Sequence, residues 1–189
     1  MPSLAGTLKT GAPYHLLSYG TLLGSTLFQS FIGGVIAFRA LPRPQFAQLQ
    51  SKTFPVYFAM QTALPVAMAL TFPSRAASVG YGALDGALDG AAAGLLADVN
   101  RGALVAVAAM FVSGLVNLVY VGPATTACMR ERKHQETRDG KKSYDAGPHS
   151  PEMQRLNKKF ATLHGISSLT NLATFIAQLY YGVVLAQRL

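Results

Sequence analysis

The feature that most constrains this chain is where its charges are missing. No Asp, Glu, Lys or Arg occurs between Lys9 and Arg39, Lys52 and Arg75, Arg101 and Arg130, or Lys159 and Arg188. Of 189 residues, 50% are apolar and only 13% charged, so these gaps are long apolar runs. A soluble domain needs charge over its whole surface, and gaps of this length are hard to place in water. In lipid they are expected, because a spanning helix needs about 20 mostly apolar residues. The pattern predicts an all-α, membrane-embedded four-helix bundle as a single domain, with spans near residues 14–38, 53–72, 102–121 and 164–187.

Pro55 and Pro65 fall in the second span. A bundle tolerates them because neighbouring helices can satisfy the freed carbonyls, and a kink is expected near Pro65. The N-terminus has Lys9 as its one base and an apolar run too long for a signal-peptide core, so it is expected to stay in the mature protein. The single Cys128 excludes an internal disulfide.

The net charge of +8 fits orientation better than nucleic-acid binding. Lys9, Arg75, Arg101 and Arg188 lie on one side of a four-pass chain. Arg39, Arg43 and Lys52 in the first loop, with nine more in the third, put twelve of the sixteen bases on the other. Basic loops are retained in the cytosol during insertion. Both termini are therefore expected on the lumenal or exterior side, together with a flexible loop over residues 73–101. The basic loop 122–163 is expected in the cytosol, and basic loops can also touch anionic head groups of membrane lipids.

Within the central loop, Gly82 to Gly94 reads GALDGALDGAAAG, taken as a flexible connector. Asp85 and Asp89 offer too few oxygens for Ca²⁺. In the third loop, Ala124 to Arg138 continues the third helix, and residues 139–148 read as a mobile connection. Ser150 and Pro151 then give a helix start, with Ser as N-cap and Pro in the first turn. Helices three and four are thus expected to extend into the cytosol.

Polar residues inside the spans recur at helical spacing. His164, Ser167, Ser168, Asn171, Thr174 and Gln178 share a face of the fourth span, continued by Gly182. His15, Ser18, Ser25, Thr26 and Gln29 share one in the first, Tyr57 and Gln61 one in the second, and Ser113, Asn117 and Tyr120 one in the third. Such groups are unsatisfied in lipid, so the faces are expected to look inward. They serve either as interhelical hydrogen bonds or as a path for an ion, lipid or small solute. The intramembrane polar candidates are His15, Gln29, Gln61, Asn117 and Gln178. Gly20 and Gly24 form a GxxxG pair, a candidate packing seam within the chain or between copies.

No catalytic signature is present. His15, His134, His149 and His164 are scattered, all eight acids lie outside the spans, and no P-loop, GxSxG or HExxH occurs. No enzymatic activity, metal or cofactor is expected.

Several blocks resemble one family. They are His15-Leu16-Leu17, Phe31-Ile32-Gly33-Gly34, and Phe38-Arg39-Ala40-Leu41-Pro42-Arg43. Leu49 to Phe58 (LQSKTFPVYF), Val116-Asn117, Pro123, Thr125-Thr126-Ala127 and His164 to Leu172 (HGISSLTNL) continue the likeness. The chain resembles the transmembrane protein 205 family, a eukaryotic group of fungal and other members whose domain has no characterised function. Its GALDGALDG repeat has no counterpart there. The resemblance implies a four-pass protein of an intracellular membrane, either endoplasmic reticulum and secretory pathway or mitochondrial. It also places Arg39, Arg43, Gln50, Lys52, His164, Ser168 and Asn171 together as a candidate anion or head-group cluster at the cytosolic helix ends. Two functional readings follow. One is a small accessory subunit or scaffold of a membrane assembly or trafficking process, bound to other membrane proteins or to its own copies. The other is a small carrier or channel through the polar interior.

Overall fold

The computed structural model describes residues 3–73 and 84–187, and all regular structure there is helical. Arg75 and Arg188, both used for orientation, lie outside these residues. A short α1 (Leu4–Thr7) precedes α2 (Ala12–Leu27), which passes through a π-helical turn, Phe28–Gly33, into α3 (Gly34–Ala40). After a two-residue break comes α4 (Arg43–Leu70). Then follow α5 (Leu84–Leu96), α6 (Arg101–Val116), a second π turn (Asn117–Val121), α7 (Gly122–Asp139) and α8 (Pro151–Ala186).

Four continuous helices are long and apolar enough to cross a membrane: Ala12–Ala40, Arg43–Leu70, Asp98–Asp139 and Pro151–Ala186. They form a bundle in which α2 packs on α4, α4 on α6 and α6 on α8, while α8 meets α2 along a shorter seam. Three helices outrun the expected spans. α4 begins at Arg43, and the third and fourth continue as a hairpin of α7 and the first turns of α8. At 1.5 Å per residue α8 is about 54 Å long, against a hydrocarbon core of about 30 Å.

α4 runs unbroken through Pro55 and Pro65. Pro65 has no N–H, so the Gln61 carbonyl one turn back loses its α-helical donor. Gly114 of α6 lies against that carbonyl, where a Cβ would stand 2.6 Å from the Gln61 oxygen. The two helices meet backbone to backbone at this point.

The central connection differs from the expected flexible one. It contains α5, whose Leu and Ala residues favour helix, and a 3-10 turn at Asp98–Asn100. α5 is held by burial: Ala91 and Leu95, four apart, join Met68, Phe72, Ala103 and Met110 in the apolar core that closes this end of the bundle. The GALDGALDG pattern hides this, because Gly and Asp are turn residues when read locally.

The α7–α8 hairpin is tied at several points. Gly140 adopts φ 62° and ends α7, with Lys141 N donating to the Glu136 carbonyl. The Glu136 carboxylate is buried, accepts from Ser143 N at 3.1 Å and Ser143 Oγ at 2.7 Å, and pairs with Lys133 at 3.3 Å. Ser150 caps α8 through Met153 N and donates to Asp139. The connection expected to be mobile is thus anchored at Ser143 and Ser150. Glu136→Ala removes the acceptor for both Ser143 donors. It is expected to speed tryptic cleavage at Lys141–Lys142 several-fold in folded protein, with no change in helix content.

Candidate functional site

The bundle interior is polar at mid-length, and its centre is one hydroxyl. Thr26 Oγ1 donates to the Leu22 carbonyl at 2.8 Å, which uses its only proton. It then accepts from Gln61 Nε2 of α4 and Gln178 Nε2 of α8, each at 2.9 Å. Three helices meet on one oxygen. Thr26, Gln61 and Gln178 are 0%, 1% and 0% exposed, so water does not compete for these bonds. Tyr19 reinforces the α2–α8 seam by donating to the Gln178 carbonyl at 3.1 Å. It lies over Gly182, where a Cβ would collide with its hydroxyl.

Towards the apolar end, His15 is buried at 1% exposure against Tyr181 and Thr71. The Tyr181 hydroxyl lies 2.7 Å from His15 Nε2, and Thr71 Oγ1 lies 3.3 Å from Nδ1. Thr71 already donates to the Ala67 carbonyl at 2.6 Å, so it accepts from His15. That assigns the proton to Nδ1 and makes Tyr181 the donor to Nε2. Below the Thr26 centre, Asn117 in the second π turn donates to Thr170 Oγ1 at 2.7 Å and to the Ser113 carbonyl at 3.2 Å. Gln29 donates to Gln50 Oε1 at 3.2 Å, joining α4 to the first π turn.

Of the candidates for the intramembrane polar face, His15, Gln61, Asn117 and Gln178 are all buried in the bundle, while Gln29 is half-buried. Thr26, Thr71 and Tyr181 complete it. Thr26 was legible as part of the α2 face. Thr71, at the C-cap of α4, and Tyr181 were not singled out, although Tyr181 follows Gln178 by three residues on the same face and its spacing could have found it.

The α8 stripe does not look inward over its whole length. Thr174 and Gln178 are buried, whereas His164 and Ser168 are exposed. Toward its start α8 buries Met153 and Leu156 instead, with the buried Cys128 Sγ of α7 3.6 Å from the Leu156 carbonyl. The stripe holds a near-3.5-residue repeat while the helix turns at 3.6, so its face drifts out of register.

The proposed cluster of Arg39, Arg43, Gln50, Lys52, His164, Ser168 and Asn171 divides into separate places. Arg43 stacks on Phe38 with Cζ 3.6 Å from the ring centroid, and Arg39 is exposed at the end of α3. Gln50 turns inward to Gln29. Lys52 reaches an outer groove between α2 and α4. His164 stacks on Phe160, which in turn carries Arg132 at 4.5 Å, and Ser168 donates to the His164 carbonyl. Asn171 is half-buried. Among the described residues no hydrogen bond joins the α3–α4 members to those of α8.

Gly20 and Gly24 are exposed, and a Cβ on either would meet nothing within 4 Å. They form no seam within the chain, and the close approach falls at Gly114 and Gly182 instead. No group of three or more His, Cys, Asp or Glu that could hold a metal occurs among the described residues.

A family described as a domain of unknown function (DUF4149) matches residues 17–134, from α2 into α7. "Xanthocillin biosynthesis cluster protein D" of Aspergillus fumigatus is 31% identical over 189 residues, covering 100% of this chain and 97% of that protein. No solved structure matches the chain.

Proposed function

The chain belongs to the DUF4149 family, and from that premise we propose a four-pass integral membrane protein without catalytic activity. In this reading it acts as a small accessory subunit or scaffold of a larger membrane assembly. The observation that carries the reading is the closed interior. Gln61 and Gln178 each donate to the Thr26 hydroxyl, at full burial, as interhelical bonds. What the protein presents outward is apolar. Only 11% of the first helix's most apolar window is buried, against 33% of the third's, leaving Leu17, Phe28, Phe31 and Ile36 for lipid or a partner.

The LQSKTFPVYF and HGISSLTNL blocks support a closer kinship with transmembrane protein 205, an intracellular membrane and the α7–α8 hairpin in the cytosol. The name of the Aspergillus relative supports a biosynthetic assembly as the setting. Native mass spectrometry after gentle extraction tests the proposal. The expected result is a stoichiometric complex with other membrane proteins. A monomer or homo-oligomer carrying a solute, with flux in liposomes, overturns it in favour of a carrier. That second reading has its own observation, since Asn117 Oδ1 and Gln178 Oε1 are buried acceptors without a donor among the described residues.

A further inference from the structure

The outer surface between α2 and α4 holds a groove of about 430 Å³. Phe28, Val56 and Met60 give it apolar walls, and Gln29, Lys52 and Thr53 lie together along it. Lys52 is exposed and has no ion pair or hydrogen bond among the described residues, whereas Lys133, Arg155 and Lys159 are each paired with a Glu. It sits at the boundary of the second span, the depth at which a lysine stem lies along apolar surface and its ammonium reaches lipid head groups. Phe28 opens the first π turn and packs over Gly33, where a Cβ would stand 2.8 Å from its ring. This holds the ring as a fixed wall.

A free cation at the end of an apolar slot matches one kind of molecule, an amphiphile with an anionic head. We propose that this groove binds an anionic glycerophospholipid. Its phosphate lies against Lys52 beside Gln29 and Thr53, and one acyl chain lies on Phe28, Val56 and Met60. The inference rests on the four-pass reading, because it needs Lys52 at a membrane surface, but it does not depend on the accessory role.

The test uses the full-length protein in nanodiscs, with lipid occupancy read by native mass spectrometry across mixtures of phosphatidylserine and phosphatidylcholine. Wild type is expected to retain phosphatidylserine selectively. Lys52→Gln is expected to reduce that preference about five-fold, the effect of one basic residue at a lipid surface. Lys52→Arg is expected to restore it. Val56→Trp fills the slot without changing charge and is expected to lower retention of both lipids. Lys158→Gln, on the exposed hairpin, is the control for general attraction. Equal losses in Lys52→Gln and Lys158→Gln, or full retention in Val56→Trp, overturn the proposal. So does displacement of the effect by inorganic phosphate alone, which would make the site a free-anion site. Insertion and helix content are measured in the same samples, so failure of the membrane reading is distinguishable from failure of the groove.

Discussion

Gly114→Ala is expected to lower the thermal unfolding midpoint of the detergent-purified protein by about 5 °C, while Gly20→Ala and Gly24→Ala leave it nearly unchanged. The extra methyl would meet the backbone carbonyl of Gln61 at 2.6 Å and the Thr62 nitrogen at 3.0 Å, neither of which can swing aside as a side chain can. Inserting a methyl into such a contact costs about 1–3 kcal/mol. For a chain of this length each kcal/mol shifts the midpoint by about 2–4 °C. There is also an electrostatic part. The Gln61 carbonyl is the one that Pro65 deprives of its donor, and Gly114 lets a neighbouring backbone shield it. Gly114→Leu forces α4 and α6 apart and is expected to abolish folded expression. A Gly114→Ala midpoint within about 1 °C of wild type would show that the helices are not in the described register.

The second large effect belongs to Thr26. Thr26→Val keeps the shape and deletes the oxygen on which Gln61 and Gln178 converge. Hydrogen bonds inside membrane bundles average about 0.6 kcal/mol each, but stranding a buried amide costs about 1–3 kcal/mol. The expected loss is about 2–3 kcal/mol, with Thr26→Ser losing far less. The cycle with Gln178→Leu is the sharper measurement. Once Thr26 is gone, removing Gln178 is expected to cost about 1 kcal/mol less than it does in wild type, because the amide is already unpaired. Strict additivity of the two changes would contradict a shared oxygen. If the interior is instead a transport path, these variants alter flux more than stability, so both quantities belong in the same experiment.

The four long helices were legible from charge gaps because the cost of burying charge in lipid is large and local. The inward turn of His15, Gln61, Asn117 and Gln178 was legible for the same reason. Other features depend on what lies opposite. α5 is fixed by Ala91 and Leu95 packing on Met68 and Phe72, a contact that the local Gly-Asp repeat does not announce. The visible glycine pair, Gly20 and Gly24, faces outward, while Gly114 matters because of a proline on another helix. The cluster assembled from Arg39, Arg43, Lys52 and His164 came apart because it was built from matching sequence blocks and a shared depth. Depth along a helix places residues at a common level, not on a common side.

α8 has a mechanical consequence. It contains no proline after Pro151 and runs as one rod from the capped hairpin to Tyr181 and beyond. Its outer third is tied to α7 by Arg132–Asn157 and Lys159–Glu131, and to the turn after α7 by Asn157–Ser143. Its inner third carries both Gln178 and Tyr181. A binding partner that tilts the basic tip therefore turns a lever whose short arm holds the Thr26 and His15 bonds. Docking outside and the tightness of the interior are then two readings of a single angle.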